Sequence, residues 1–232
     1  MELSNVLVSR EGTSFSLVFK KPEQIIHNLF VPIPGEVQAK NAGLAVLALR
    51  TAFPGISEVH IRKGLSGFTL SARFETVCAA PLFIVDGAHT KHSMKICIDT
   101  FVSLYGAGAI LIFGCAAGKD VHSMAELCVP HFSRIIITTP GSFKKSFPEE
   151  IYGIFSNEAQ NLKSKPEHAA EAAGAASTIQ SSPPEVIFIP DTAKALDMAV
   201  NLANESGLPI LGTGSFYLAG ELRNKLKPRP HS

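Results

Sequence analysis

Arg73-Phe74-Glu75-Thr76-Val77-Cys78-Ala79-Ala80-Pro81-Leu82-Phe83-Ile84-Val85-Asp86-Gly87-Ala88-His89-Thr90 decides the fold class of this 232-residue chain. An acid and a histidine stand where a short apolar strand, expected over 82–85, breaks toward a helix. Open α/β sheets place their ligand sites at such strand ends. The C-terminal counterpart is Leu211-Gly212-Thr213-Gly214-Ser215-Phe216-Tyr217-Leu218-Ala219-Gly220-Glu221, another apolar strand ending in a Gly, Thr and Ser turn. Two such ends in one parallel sheet, each with polar side chains and free amides at a helix start, are placed to converge on one charged ligand.

Outward from these segments, strand and helix alternate from about Gly67. Strands are expected at 82–85, 109–114, 134–138, 186–189 and 209–212. They are short and continuously apolar, as strands covered by helices on both faces are. Met94, Cys97, Ile98, Phe101 and Leu104 mark one amphipathic helix, and Ala195, Leu196, Ala199, Val200 and Ala203 another. The fold class is therefore α/β, with a Rossmann-like, mostly parallel, doubly wound sheet. Residues 156–185 break the rhythm; Pro166 to Ser182, rich in Ala, Ser and Gln, is expected to be mobile or to form a surface helix.

Before Gly67 the pattern is thinner. Phe15, Leu17 and Phe19 alternate as in a half-buried strand, Pro32, Pro34 and Gly35 form a turn, and Asn41 to Phe53 carries Leu44, Leu47 and Ala48 at helical spacing. One or two strands and a helix are marginal alone, so this part is expected to be the end of a second α/β domain and to lack a core of its own.

Composition narrows the function classes. Lys and Arg total 21 against 20 Asp and Glu, a net charge of +1, so no global field draws nucleic acid or an anionic membrane. The apolar runs are far short of the ~20 residues that span a bilayer. Cys78, Cys97, Cys115 and Cys128 form no CxxC pair and are expected to be buried free thiols of a cytoplasmic protein, with no metal site. No Ser/His/Asp nucleophile arrangement or paired-acid motif marks a self-contained hydrolase.

Asp86 has three readings: a helix cap beside a solvent-facing His89, a carboxylate on a nucleotide ribose, or a metal ligand with His89 and His92. The last is disfavoured, since residues six apart on a helix point about 120° away from each other. Gly114 to Asp120 follows a strand and contains Gly-Lys, yet three residues rather than four separate its glycines, and Asp120 follows where a phosphate loop needs Ser or Thr. Lys119 is then either a solvated lysine or a point charge for a neighbouring anion. Ser215 is placed to cap the helix through Leu218, Leu222 and Leu226 and, compatibly, to meet a carboxylate.

In order along the chain, Ile33 to Gln38 with Asn41-Ala42, Arg73-Phe74-Glu75, Asp86 to Thr90, Gly114 to Asp120 and Gly212 to Glu221 resemble the C-terminal portion of the folylpolyglutamate synthase and dihydrofolate synthase family, relatives of the Mur ligases. The resemblance implies residues 1–66 as the C-terminal remnant of a central ATPase domain and 67–232 as the glutamate-binding, nucleotide-clamping C-terminal domain. It implies an ATP-dependent ligase that joins L-glutamate to folate or pteroate through an acyl phosphate. Asn41, Arg73 and Asp86 would then meet the adenine, phosphates and ribose of ATP. His89 and Ser215 would surround the glutamate and acyl phosphate, with Lys119 beside them; His89 and Lys119 are the candidate catalytic groups. ATP and Mg2+ are implied, the metal ligands lying in an N-terminal ATPase part that this sequence does not contain. The chain alone is accordingly expected to lack ligase activity. Thr90 stands where many members have Asn, and Leu70-Ser71-Ala72 where they have Trp-Pro-Gly. A UDP-muramoyl ligase portion, or a non-catalytic nucleotide- or amino-acid-binding module, are the competing functions.

Overall fold

The computed structural model describes residues 1–20, 23–141, 144–164 and 182–226. It divides into two compact units, 1–71 and 72–232.

In the first unit, β1 (Glu2–Val8), β2 (Thr13–Lys20) and β3 (Glu23–Val31) form an antiparallel sheet in the order β1-β2-β3, followed by α1 (Glu36–Ala52) and α2 (Glu58–Ser66). The alternation of Phe15, Leu17 and Phe19 buries all three. Contrary to expectation, the unit has its own core, in which these residues pack with Ile26, Leu29, Val31, Val46 and Ile61. A third strand and a second helix supply the cover that the thinner sequence pattern did not promise. The helical face is also corrected: α1 buries Ala39, Ala42, Gly43 and Val46, while Leu44, Leu47 and Ala48 face outward. A Cβ on Gly43 would lie 3.1 Å from Leu17, so close approach to the sheet selects the small residues.

The second unit is the expected doubly wound sheet. Its strands are β4 (Glu75–Ala79), β5 (Leu82–Val85), β6 (Ala109–Phe113), β7 (Phe132–Ile137), β8 (Glu185–Phe188) and β9 (Ile210–Thr213), in the order β4-β5-β9-β6-β7-β8. All neighbours pair in parallel except β4, an antiparallel edge strand that periodicity did not reveal. The connecting helices are α3 (Lys91–Tyr105), α4 (Val121–Cys128), α5 (Pro148–Lys163), α6 (Thr192–Ser206) and the terminal α7 (Phe216–Leu226). The expected break over 156–185 is corrected at its start, because α5 runs through Lys163; residues 165–181 lie outside those described. Chain order β5, β6, β7, β8 moves one way across the sheet and β9 returns between β5 and β6, which creates the switch point.

The core follows from continuous apolar strands. Ile110, Leu111, Ile112 and Phe113 of β6 are fully buried, as are Phe83, Ile84 and Val85 of β5. Gly212 pairs with both Val85 and Ile112, and a Cβ there would lie 2.6 Å from Leu222, so the glycine lets α7 pack directly on β9. Cys97, Cys115 and Cys128 are buried free thiols and Cys78 is half-buried. Among the described residues no helix is long and apolar enough to cross a membrane. Ile112→Ala is expected to cost about 2–5 kcal/mol, read as a lower midpoint in urea unfolding with an unchanged slope.

Candidate functional site

The sheet's hydrogen-bond ladder continues past the strand ends and joins the two loops that the sequence singled out. Asp86 N donates to Gly212 O (3.0 Å), and Gly214 N donates to Ala88 O (3.0 Å). Gly114 N donates to Thr213 O (3.3 Å), which brings the loop after β6 alongside. Three candidate segments therefore share the C-terminal edge of β5, β9 and β6.

Asp86 is neither a helix cap nor part of a metal cluster. Thr90 caps α3, its Oγ1 accepting from Ser93 N (3.2 Å) while Ser93 Oγ accepts from Thr90 N (3.0 Å). Asp86 Oδ2 instead accepts from Phe74 N (2.9 Å) and Oδ1 from Ala88 N (2.7 Å). Burial raises its carboxyl above the usual 3.8, opposed by those two N–H groups, by the Arg73 charge and by the Cys97 thiol. Of the carboxylate's roughly four acceptor sites these two N–H groups and the Cys97 thiol take three, which leaves one for a further donor such as a hydroxyl. Among the described residues no three His, Cys, Asp or Glu side chains are grouped to hold a metal ion.

His89 precedes the cap of α3 and is half-buried. Its Nδ1 lies 2.8 Å from Gly87 O. A carbonyl only accepts, so Nδ1 carries a proton, and in the neutral ring Nε2 is then the acceptor. Arg73 sits in an unusual turn: Ala72 and Phe74 have φ of 56° and 46°, a left-handed conformation rarely adopted by such residues. Glu75 Oε2 accepts from Ala72 N (3.0 Å), and Arg223 Nε lies 3.0 Å from both Glu75 oxygens.

Phe216, the first residue of α7, joins Arg73 to His89. The guanidinium carbon of Arg73 lies 4.5 Å from its ring centroid, and the His89 ring centroid 5.6 Å from it. The ring rests on Gly87, where a Cβ would come within 2.2 Å of it. Phe216 was not among the expected site residues; an aromatic at a helix start gives no chemical signal in sequence. Ser215 is buried, and its Oγ accepts from Tyr217 N (3.1 Å), so it caps α7 as expected while its O–H proton remains available.

Lys119 is exposed on the loop after β6, near enough to the Cys115 thiol to oppose its rise, by burial, to about 12. Asp120, the residue that breaks the phosphate-loop pattern, caps α4 by accepting from Ser123 N (3.1 Å). Asn41 belongs to the first unit, on α1, where with Gln38 and His60 it lines a cavity of about 380 Å3. The remaining walls are largely apolar, among them Ile33, Val46 and Phe68. Such a pocket, with an amide at its edge, suits a flat heteroaromatic group.

A family model described as Mur ligase, glutamate ligase domain, matches residues 72–216. Folylpolyglutamate synthase of Lacticaseibacillus casei is 28% identical over 207 residues, covering 87% of this chain and 41% of that protein. Dihydrofolate synthase/folylpolyglutamate synthase of Mycobacterium tuberculosis is 23% identical over 208 residues, covering 86% of this chain and 40% of that protein. The solved Mycobacterium tuberculosis folylpolyglutamate synthase complexed with ADP and AMPPCP superposes with a TM-score of 0.78 at 19% identity, over 99% of this chain and 48% of that one. The chain thus spans less than half the length of these relatives.

Two outcomes are expected. Gly87→Ala drives a methyl into the Phe216 ring and should cost about 1–3 kcal/mol, measured by urea unfolding. Asp86 binds its proton more tightly folded than unfolded, so its contribution to stability is whole below pH 3.8 and is lost as pH rises through the higher folded value. Unfolding free energies across that window should fall more steeply with pH for the native chain than for Asp86→Asn.

Proposed function

Because the chain belongs to the Mur ligase, glutamate ligase domain family, with folylpolyglutamate synthases among its relatives, we propose that it is the glutamate-binding part of an ATP-dependent ligase joining L-glutamate to folate or pteroate. The observation that carries this reading is the convergence of Arg73 and His89 on Phe216, beside the Asp86 carboxylate, at the switch point of the sheet. A cation, an imidazole and a carboxylate there match a phosphorylated acid meeting an amine.

The chemistry demands those groups. A carboxylate is a poor electrophile; transfer of the terminal phosphate of ATP to it creates an acyl phosphate, and attack by the glutamate amine expels phosphate. Arg73 is proposed to meet the anionic phosphates, whose charge a fixed cation stabilises more cheaply than reorganising water. His89 Nε2 takes one proton from the glutamate ammonium, which frees the lone pair that attacks the acyl carbon; the second N–H proton leaves with the departing phosphate or to water. Lys119 adds a second positive charge on the neighbouring loop, and the Ser215 hydroxyl donates to a glutamate carboxylate. The remaining acceptor site of Asp86 takes a ribose hydroxyl of ATP. In the first unit, Asn41, Gln38 and His60 offer polar groups at an apolar cavity that suits a flat heteroaromatic ring. Magnesium, when bound, shields the phosphates; its ligands are expected outside the described residues, and the sequence contains no Gly-rich loop ending Gly-Lys-Ser or Gly-Lys-Thr.

NMR titration of the chain with ADP and with L-glutamate tests this reading. ADP should shift the amides of 73–74 and 86–88, and glutamate those of 89–90 and 215–217. Arg73→Ala should weaken ADP binding about tenfold, ~1.4 kcal/mol. Shifts confined to other parts of the chain would overturn the assignment.

A further inference from the structure

Phe216 is 38% exposed, yet its ring meets both the Arg73 guanidinium and the His89 imidazole. The buried residues of α7 are Leu218, Ala219 and Leu222, so the helix is anchored without the Phe216 ring. Its surroundings are instead Gly87, the Arg73 guanidinium and the His89 imidazole, while it also borders a cavity of about 980 Å3 with Tyr217, Asp191 and Glu221. An apolar ring left partly in water, between two polar side chains, is poorly explained by core packing.

The backbones of its two neighbours are already fixed. Ala72 and Phe74, on either side of Arg73, hold left-handed conformations that cost about 1–3 kcal/mol each. Carboxylates pin both: Glu75 takes the Ala72 N–H and Asp86 the Phe74 N–H, and Gly87 N donates to Ala72 O (2.8 Å). His89 is tethered at Nδ1 by Gly87 O. What these bonds leave loose is the long Arg73 side chain, while the tethered imidazole keeps one face to the Phe216 ring. The face of an aromatic ring attracts a guanidinium by ~0.5–2 kcal/mol, enough to favour one placement among many rotamers.

We propose that Phe216 is a positioning residue. It holds the Arg73 guanidinium and the His89 imidazole at fixed places around one ring, so that a single bound ligand meets the guanidinium at one end and the imidazole Nε2 at the other. The ligand class is a phosphoryl anion next to a primary amine. The inference rests on the ligase reading for its ligands, while the mutual placement of the two side chains is independent of it.

The test uses the whole chain, Phe216→Leu, which keeps apolar bulk and removes the ring, and Phe216→Tyr, which restores the ring. In the native chain and in F216Y, the ring current should move the His89 ring protons and the Arg73 δ protons away from their unstructured positions; in F216L both should return, with the remaining spectrum and the Tm nearly unchanged. Unmoved His89 and Arg73 signals in F216L would overturn the proposal whatever any ligand does. With ADP as the probe, Arg73→Ala and F216L should each weaken binding about tenfold, and the double variant should be no weaker than R73A alone. Full additivity, or F216L binding ADP as the native chain does while R73A does not, would overturn positioning of Arg73 alone. If R73A itself leaves ADP affinity unchanged, the nucleotide role in the ligase reading fails, and the ring-current result still decides the placement.

Discussion

The two oxygens of Asp86 hold the site in shape before any ligand arrives. One takes the N–H of Phe74 across a strained turn; the other takes the N–H of Ala88 within its own loop. The first bond ties the edge hairpin of β4 and β5 to the point where β5 ends, and the second curls the chain so that His89 clears the cap of α3. Hydrogen bonds to a charged acceptor are worth about 1.5–3 kcal/mol each, similar to the cost of a left-handed residue, so the carboxylate and the strain roughly offset. Burial works against this acid by raising its affinity for a proton. The N–H donors and the neighbouring Arg73 oppose that rise, so the same contacts that shape the turn favour the charged form needed to accept from a ligand hydroxyl.

Sheet order explains why these contacts fall where they do. β9 is inserted between β5 and β6, so the last strand of the unit brings Gly214 and Ser215 beside a loop made more than a hundred residues earlier in the chain. Helices leave neighbouring strands toward opposite faces there, and the backbone beyond the strand ends stays paired by Asp86 to Gly212 and Gly214 to Ala88. Gly87 and Gly212 serve different ends of one requirement: the first makes room for Phe216 and the second for Leu222, so α7 is seated at both its start and its middle.

Much of this was legible in the sequence for a clear reason. Strands covered on both faces must be continuously apolar, and 82–85, 109–114, 134–138, 186–189 and 209–212 each coincide with a strand within two or three residues. The Asp86 and Ser215 segments were legible because polar residues after such strands have few other uses. What failed was reasoning from side-chain size. The leucines of α1 look like a core stripe, but the sheet below admits only Ala, Gly and Val, and the leucines point away. The first unit seemed coreless because β1 and β3 carry many polar residues between their apolar ones, as at Glu2-Leu3-Ser4 and His27-Asn28-Leu29.

The site's least legible members share one property: their roles are set by backbone or by a neighbour's charge. Ala72 and Phe74 are not residue types that announce a left-handed turn, and only the two carboxylates that hold their N–H groups explain why the turn persists. Phe216 is likewise a generic apolar residue whose importance lies in what touches its ring. A chain with a net charge of +1 has no overall field to guide an anionic ligand, so recognition depends on holding a few cations in place. Arg73 is such a cation, its backbone flanked by strained residues whose N–H groups two carboxylates hold and its head set against an aromatic face, an arrangement that no charge motif in the sequence could reveal.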